Sequence, residues 1–83
     1  MPQNEFGNMS QNDMILDHLK VYGKINPMTA IEQYGCMRLA ARISELREQG
    51  RKDGFTIETN MIKARNRFGG HVEYAEYIFK EDE

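Results

Sequence analysis

The sequence predicts a small α+β domain in which three helices precede a two-stranded hairpin. Three observations support this order. Up to Gly50, helix-capping residues border three segments with apolar residues at helical spacing. From Phe55 onwards, apolar and polar residues alternate as in strands. The run between the two strand-like segments is rich in Gly and Asn, as a loop would be. With 83 residues, the chain is long enough for one domain with a modest core. We expect residues 1–9 to be a disordered tail, residues 10–80 to form the domain and residues 81–83 to be an acidic end.

The first helix is predicted to run from about Gln11 to Tyr22. Ser10 with Asp13 three residues later has the form of a capping box, in which each residue satisfies a backbone amide of the other. Gly23 ends the helix, and Lys24-Ile25 could form a short extended segment that pairs with a later strand. The apolar face of this helix contains Met14, Ile15, Leu16, Leu19 and Tyr22.

The second and third helices are predicted to be joined by a tight connection. Asn26 is a favourable N-cap, and Pro27 is well suited to the first helical position because its missing N–H would be unpaired there anyway. Gly35 ends this short helix, since glycine adopts the left-handed conformation without a Cβ clash. We expect the third helix to run from about Met37 to Gln49 and to end at Gly50 for the same reason.

The third helix has an apolar stripe and a polar line of residues. The stripe consists of Leu39, Ile43 and Leu46, and the polar line consists of Arg38, Arg42, Glu45 and Gln49. Arginine and glutamine can pair with base edges in a DNA major groove, and arginine also binds phosphates. A short helix that supports a basic second helix is the arrangement of a helix-turn-helix unit. Alternatively, the line is a solvated face in which Arg42 and Glu45 form an ion pair.

Beyond Gly50 the pattern changes from helical spacing to alternation. Asp53-Gly54 predicts a turn, and a strand should follow from Phe55 to about Lys63. Residues 64–70 form a loop, and His71 to Phe79 form an aromatic-rich strand. The alternation slips near Ala75–Ile78, which indicates either a bulge or strong burial. Three helices followed by a hairpin are the element order of a winged helix domain.

The hairpin tip is basic. Its candidate DNA-binding residues are Lys63, Arg65, Asn66 and Arg67. Arginine at such a tip could contact phosphates or enter a minor groove, where the electrostatic potential is negative. Alternatively, the charges keep the loop soluble and discourage edge pairing. A basic helix and a basic wing together favour DNA binding more than either does alone.

Charge is unevenly distributed along a chain whose net charge is −2. Residues 38–67 contain eight Lys/Arg and four Asp/Glu, a net charge of +4, whereas residues 68–83 contain one Lys and five acids, a net charge of −4. Arg51 and Lys52, in the predicted link after the third helix, belong to the basic segment and are further DNA-binding candidates. The positive charge therefore coincides with the predicted recognition helix and wing.

Several runs resemble the small winged helix-turn-helix domains of phages and prophages. The most specific is Gly35–Arg47, GCMRLAARISELR, which in that family spans the turn and recognition helix. Ile57-Glu58-Thr59 and Ala75-Glu76-Tyr77 are similar to the family's strand segments, so the resemblance extends from about Asp13 to Phe79. It implies a DNA-binding fold but specifies neither an operator nor a regulatory role.

Catalytic, metal and membrane functions find little support in the sequence. No Cys/His pair has zinc spacing, no catalytic triad or carboxylate pair stands out, and no apolar run approaches the length of a membrane span. We therefore expect no enzyme activity, cofactor or metal, and a cytoplasmic location. Cys36, the single cysteine, is predicted to be a buried apolar filler, and His18 a surface residue of the first helix.

The leading hypothesis is a phage-type transcriptional regulator that binds double-stranded DNA, either as a homodimer or as a cooperative array. In a second interpretation, the winged fold binds or inhibits a host or phage protein, because fold does not determine function. In a third, the chain is an architectural or excision-type DNA factor.

Overall fold

A computed structural model describes residues 9–82 of the protein, so the predicted tail lies outside the described residues except for Met9. The elements are, in chain order, α1 (Gln11–Tyr22), β1 (Lys24–Ile25), α2 (Pro27–Tyr34), α3 (Leu39–Asp53), β2 (Phe55–Arg65) and β3 (His71–Glu81). The predicted fold class, a winged helix-turn-helix with three helices followed by a β-hairpin, is confirmed. No helix in residues 9–82 is both long and apolar enough to cross a membrane.

The predicted caps of the first two helices are present. Ser10 and Asp13 form a reciprocal capping box, with the Ser10 Oγ accepting from the Asp13 amide at 3.1 Å. The Asn26 side chain accepts from the amide of Thr29 at 2.9 Å, and α2 begins at Pro27. Gly35 ends α2 in the left-handed conformation, with φ of 64°. Local sequence therefore determines the start of α1 and both ends of α2.

The predicted end of α3 is wrong. The helix continues through Gly50 to Asp53 and ends at Gly54, which has φ of 82° and donates its N–H to the Gly50 carbonyl. Gly50 instead lies on the buried side of α3, where a Cβ atom would overlap the carbonyl oxygen of Phe55. Its small size lets the start of β2 pass directly over the helix.

The three strands form one antiparallel sheet in the order β1-β3-β2. The predicted extended segment at Lys24-Ile25 is confirmed, because it pairs with Ile78 and Tyr77 of β3. Strands β2 and β3 remain in register from Phe55–Glu81 to Arg65–His71, so the slip in alternation near Ala75 is not a bulge. Both strands extend two residues further along the chain than predicted, and the extension of β2 to Arg65 shortens the loop to residues 66–70.

The core lies between the helices and one face of the sheet. It consists of Ile15, Leu16, Leu19, Ile25, Ala30, Cys36, Leu39, Ile43, Leu46, Phe55, Ile57 and Tyr77. The predicted burial of Cys36 is confirmed. The predicted exposure of His18 is wrong: its side chain is 8% exposed and its Nδ1 lies 2.7 Å from the Tyr34 hydroxyl oxygen. This polar pair links α1 to α2.

Candidate nucleic-acid interface

Helix α3 is fixed by its apolar stripe, which sets the direction of all its other side chains. Leu39, Ile43, Leu46 and Gly50 are buried, as the spacing of the three apolar residues predicted. At 3.6 residues per turn, the side chains opposite this stripe are Ala41, Ser44 and Glu48. Ser44 and Glu48 are exposed and Ala41 is half-buried, so the outward face of α3 carries mainly small or acidic side chains.

The predicted polar line lies on the flank of α3 next to α1. Glu45 accepts a hydrogen bond from the Asn12 Nδ2 at 3.0 Å. The Arg42 Nε lies 3.4 Å from the Glu45 Oε1, close enough for attraction between charges but without hydrogen-bond geometry, and the Arg42 side chain is 29% exposed. The ion pair considered from the sequence is therefore present, and the Glu45 carboxylate that attracts Arg42 also connects α3 to Asn12 of α1.

The two ends of the polar line are more accessible. Arg38 is the N-cap residue of α3, is exposed and makes no side-chain capping bond. Gln49 is exposed near the end of the same flank. Arg38 is therefore the cation of this line with the greatest access to a ligand approaching the N-terminal half of α3.

Arg51 and Lys52 belong to the last turn of α3 and not to a link between elements. Both are exposed, and the Arg51 Nη1 lies 3.5 Å from the Glu48 Oε2. Cations at this end of a helix interact favourably with its C-terminal carbonyl groups. Because Arg51 and Lys52 lie at the C-terminal end of α3, they are better placed to attract an anion at long range than to contact a ligand bound at the N-terminal half of the helix.

Arg47, which the sequence patterns did not single out, connects α3 to the wing. Its Nε donates to the Ile57 carbonyl at 3.0 Å and its Nη2 donates to the Thr59 Oγ1 at 2.7 Å. Its guanidinium also lies 5.9 Å from the centroid of the Tyr77 ring. These contacts fix α3 relative to both wing strands. No local pattern distinguishes Arg47, because its role depends on a strand ten residues away.

The wing residues Lys63 and Arg65 lie on the helix-facing side of the sheet. Side chains alternate between the two faces of a strand, so both share the face of buried Phe55 and Ile57. Both are exposed, since the core ends near Thr59 and the hairpin continues beyond it. Glu73 is opposite Lys63 and His71 is opposite Arg65, so the charge is more positive closer to the tip.

The wing tip is a compact turn organised by Asn66. The side-chain Oδ1 of Asn66 accepts from the amides of Phe68 and Gly70, both at 2.9 Å. The Gly69 amide donates to the Asn66 carbonyl at 3.0 Å, and Gly69 has φ of 84°. This pattern is that of a short hairpin loop with a left-handed glycine. Asn66, predicted as a DNA contact, thus also determines the shape of the turn.

The opposite face of the wing is apolar near the tip. Ile62 lies across from Tyr74, and Ala64 lies across from Val72. Tyr74 and Val72 are 39% and 41% exposed, and Tyr74 borders a shallow groove together with Asn26, Pro27 and Met28. The wing therefore has a basic side on the core face of the sheet and, on the opposite face near the tip, an apolar side whose Tyr74 adjoins the start of α2.

Comparison with protein families agrees with this arrangement. A family model described as a winged helix-turn-helix domain matches residues 10–82. The chain belongs to the winged helix-turn-helix domain family. No curated protein and no solved structure gave a significant match. Winged helix-turn-helix domains are typically DNA-binding modules and not enzymes.

Proposed function

We propose that this winged helix-turn-helix protein binds double-stranded DNA as a cytoplasmic transcriptional regulator of phage or prophage type. The N-terminal half of α3 enters the major groove, and the wing contacts the backbone or the adjacent minor groove. The fold supports this proposal, since a recognition helix and a β-hairpin are the two elements with which such domains contact DNA.

One observation carries the proposal: the basic side chains of the wing lie on the face of the sheet against which the helices pack. Lys63 and Arg65 follow Thr59 on one face of β2, and Thr59 accepts a hydrogen bond from Arg47 of α3. Lys63 and Arg65 therefore point towards the side on which a duplex would lie against α3. Their charge would offset that of phosphates on the strand adjoining the occupied groove.

The residues of α3 have different roles in this proposal. Arg38 reaches base edges from the start of the helix, while Ala41 and Ser44 let the helix backbone approach the groove floor closely. Alanine can also contact the methyl group of thymine. Arg42, Glu45 and Gln49 lie along the flank, where Arg42 and Gln49 contact the groove wall. Arg51 and Lys52 contribute attraction at longer range.

The direct test is fluorescence anisotropy with random-sequence duplex DNA over a series of salt concentrations. We expect wild-type affinity to fall steeply with salt, because phosphate contacts release counterions. Arg65→Ala should weaken binding to all duplexes and reduce the salt slope by about one. Arg38→Ala should mainly reduce the preference for a selected site over random DNA.

Lys80→Ala is the matched control. It also removes one positive charge from the hairpin, but Lys80 lies near the base of β3, next to Glu58 at 3.5 Å and away from the tip. Equal loss of affinity in Arg65→Ala and Lys80→Ala would show that only net charge matters. Absence of wild-type binding at low salt would contradict the proposed DNA interface.

A protein-binding role is the second candidate, favoured by the apolar side of the wing. Val72 and Tyr74 form an exposed apolar surface together with half-buried Ile62, and Tyr74 borders a groove with Met28. Exposed apolar surfaces often bind proteins. A host or phage protein would be the partner. The same titration discriminates between the two roles, since a chain acting only through this face would show no salt-dependent DNA binding.

A further inference from the structure

Phe68 at the wing tip is the most exposed large apolar residue in the described part of the chain, with 87% of its surface accessible. It lies in the five-residue loop between paired residues Arg65 and His71. The tip is distant from the core, because the six β2 residues from Asn60 to Arg65 extend roughly 20 Å beyond Thr59. No packing within the domain therefore requires an aromatic side chain here.

The backbone around Phe68 is held rigidly. Its amide donates to the Asn66 Oδ1, which also accepts from the Gly70 amide on the other side of the turn. A further bond from the Gly69 amide to the Asn66 carbonyl closes the loop. Part of the entropy that a flexible loop would lose on binding is consequently already lost in the free protein.

The surroundings of the ring suit a negatively charged, narrow site. The Arg67 guanidinium lies 5.4 Å from the ring centroid, and Arg65 is three residues before Phe68. Gly69 and Gly70 follow, so no side chain broadens the tip on that side. An aromatic ring flanked by cations on a slender turn fits a minor groove about 6 Å wide.

We propose that Phe68 is a wedge that enters the minor groove, inserts between two base pairs and bends the DNA. This inference rests on the proposed function and adds a mechanical consequence to it. Apolar side chains inserted from the minor groove unstack a base step and bend the duplex towards the major groove. Arg65 and Arg67 then contact the phosphates or groove edges on either side of the inserted ring.

The inserted ring also gives the wing a preference that depends on DNA deformability. Pyrimidine–purine steps such as TA unstack more easily than other steps, whereas A-tracts are stiff. We therefore expect the tip to favour duplexes with a TA step at the position reached by the wing. This preference arises without any hydrogen bond to a base.

The test measures binding and bending in the same samples. Duplexes of roughly 30 base pairs, with dyes at both ends and 2-aminopurine beside a central TA step, report end-to-end distance and unstacking while anisotropy reports binding. Wild-type protein should shorten the end-to-end distance and increase 2-aminopurine fluorescence. Phe68→Ala should bind roughly tenfold more weakly and should not bend the DNA at saturation.

Two further variants make the result specific. Phe68→Leu retains an apolar wedge and should still bend the duplex, whereas Val21→Ala, which shortens an exposed apolar side chain on α1, should behave as the wild type. Wild-type binding without bending or unstacking, or equal bending by Phe68→Ala, would overturn the wedge and leave the DNA-binding proposal intact. Failure of the wild type to bind any duplex would overturn both.

Discussion

His18 is a buried residue whose charge state affects the stability of the helical half. Its ring packs against Tyr22 at a centroid distance of 4.6 Å, and its Nδ1 is within hydrogen-bonding distance of the Tyr34 hydroxyl. Burial lowers the pKa of His18 from its ordinary value, although the Lys24 backbone and the Asp17 carboxylate act in the opposite direction. The folded protein therefore favours the neutral imidazole more than the unfolded chain does.

The stability of the protein should decrease on mild acidification because of this shift. With the folded pKa below the unfolded value of about 6.5, the unfolded chain binds more protons as the pH falls. The contribution of His18 is complete above pH 6.5 and is lost as the pH falls through the folded pKa. Urea unfolding at neutral and at mildly acidic pH would measure it.

Two histidine variants separate this effect from general acid sensitivity. His18→Phe should reduce the difference in unfolding free energy between the two pH values, since it retains a buried ring that does not titrate. His71→Gln alters an exposed histidine of the wing and should leave the difference unchanged. An undiminished pH dependence in His18→Phe would rule out His18 as its source.

The roles of single residues could be predicted from the sequence where those roles depend only on neighbouring residues. Ser10, Asn26 and Gly35 act within a few residues of their own positions, so propensity rules predicted them correctly. His18 was mispredicted because its burial depends on Tyr34, which approaches only when α2 folds back onto α1. Phe68 was overlooked as a candidate because an isolated aromatic residue in a loop has no periodicity to draw attention to it.

Among the elements, α3 shows how a tertiary contact can change the meaning of a glycine. The sequence predicts a helix end at Gly50 and a turn at Asp53-Gly54, but of these two glycines only Gly54 has a positive φ. Gly50 is helical, and the backbone of Phe55 lies where its Cβ would be. The helix therefore keeps a residue of poor helical propensity because the crossing of β2 leaves no space for a side chain.

Gly50→Ala should destabilise the protein despite the higher helical propensity of alanine. The overlap with Phe55 requires a backbone shift, which typically costs about 1–3 kcal/mol, whereas an unhindered exchange would stabilise a helix by about 1 kcal/mol. Chemical denaturation gives the free energy of unfolding. Ser44→Ala, on the exposed side of α3, is the control and should change stability little. A more stable Gly50→Ala variant would contradict the close approach.

The orientation of α3 was only partly predictable. Its stripe of Leu39, Ile43 and Leu46 correctly identified the buried side. The stripe is narrow, however, and cannot show which flank faces α1 and which faces the sheet. The stripe alone therefore groups Arg42 with exposed Arg38, although the Arg42 side chain is only 29% exposed and lies beside Glu45, which accepts a hydrogen bond from Asn12 of α1.

Across the whole molecule, Arg47 determines how the helical half and the wing are held together. It donates to the Ile57 carbonyl and to the Thr59 hydroxyl of β2, which is the edge strand of the three-stranded sheet. Recognition of DNA by two elements requires a fixed relation between them. The DNA-binding role of the basic residues remains a proposal, but the geometry on which it depends is concentrated in this side chain.

Arg47→Met should weaken the connection between helix and wing while preserving most of the aliphatic packing. We expect a loss of about 1 kcal/mol in unfolding free energy, because Arg47 is exposed but its hydrogen bond to the Ile57 carbonyl is part-buried. We also expect faster amide hydrogen exchange in β2 and lower affinity for DNA. Arg51→Met, which breaks only a surface contact to Glu48, is the control. Indistinguishable stability and exchange in the two variants would show that Arg47 does not brace the wing.

The central position of β3 has a consequence for the order in which the protein folds. Strands β1 and β2 do not pair with each other, and each is completed only by β3, which lies between them. The Phe79 amide also donates to the Gly23 carbonyl, and the Asp82 amide to the Gly54 carbonyl. During synthesis, the helices can therefore begin to pack while the backbone groups of β1 and β2 that pair with β3 still lack their hydrogen-bond partners. Only when residues 71–82 emerge does a single strand join both halves of the domain.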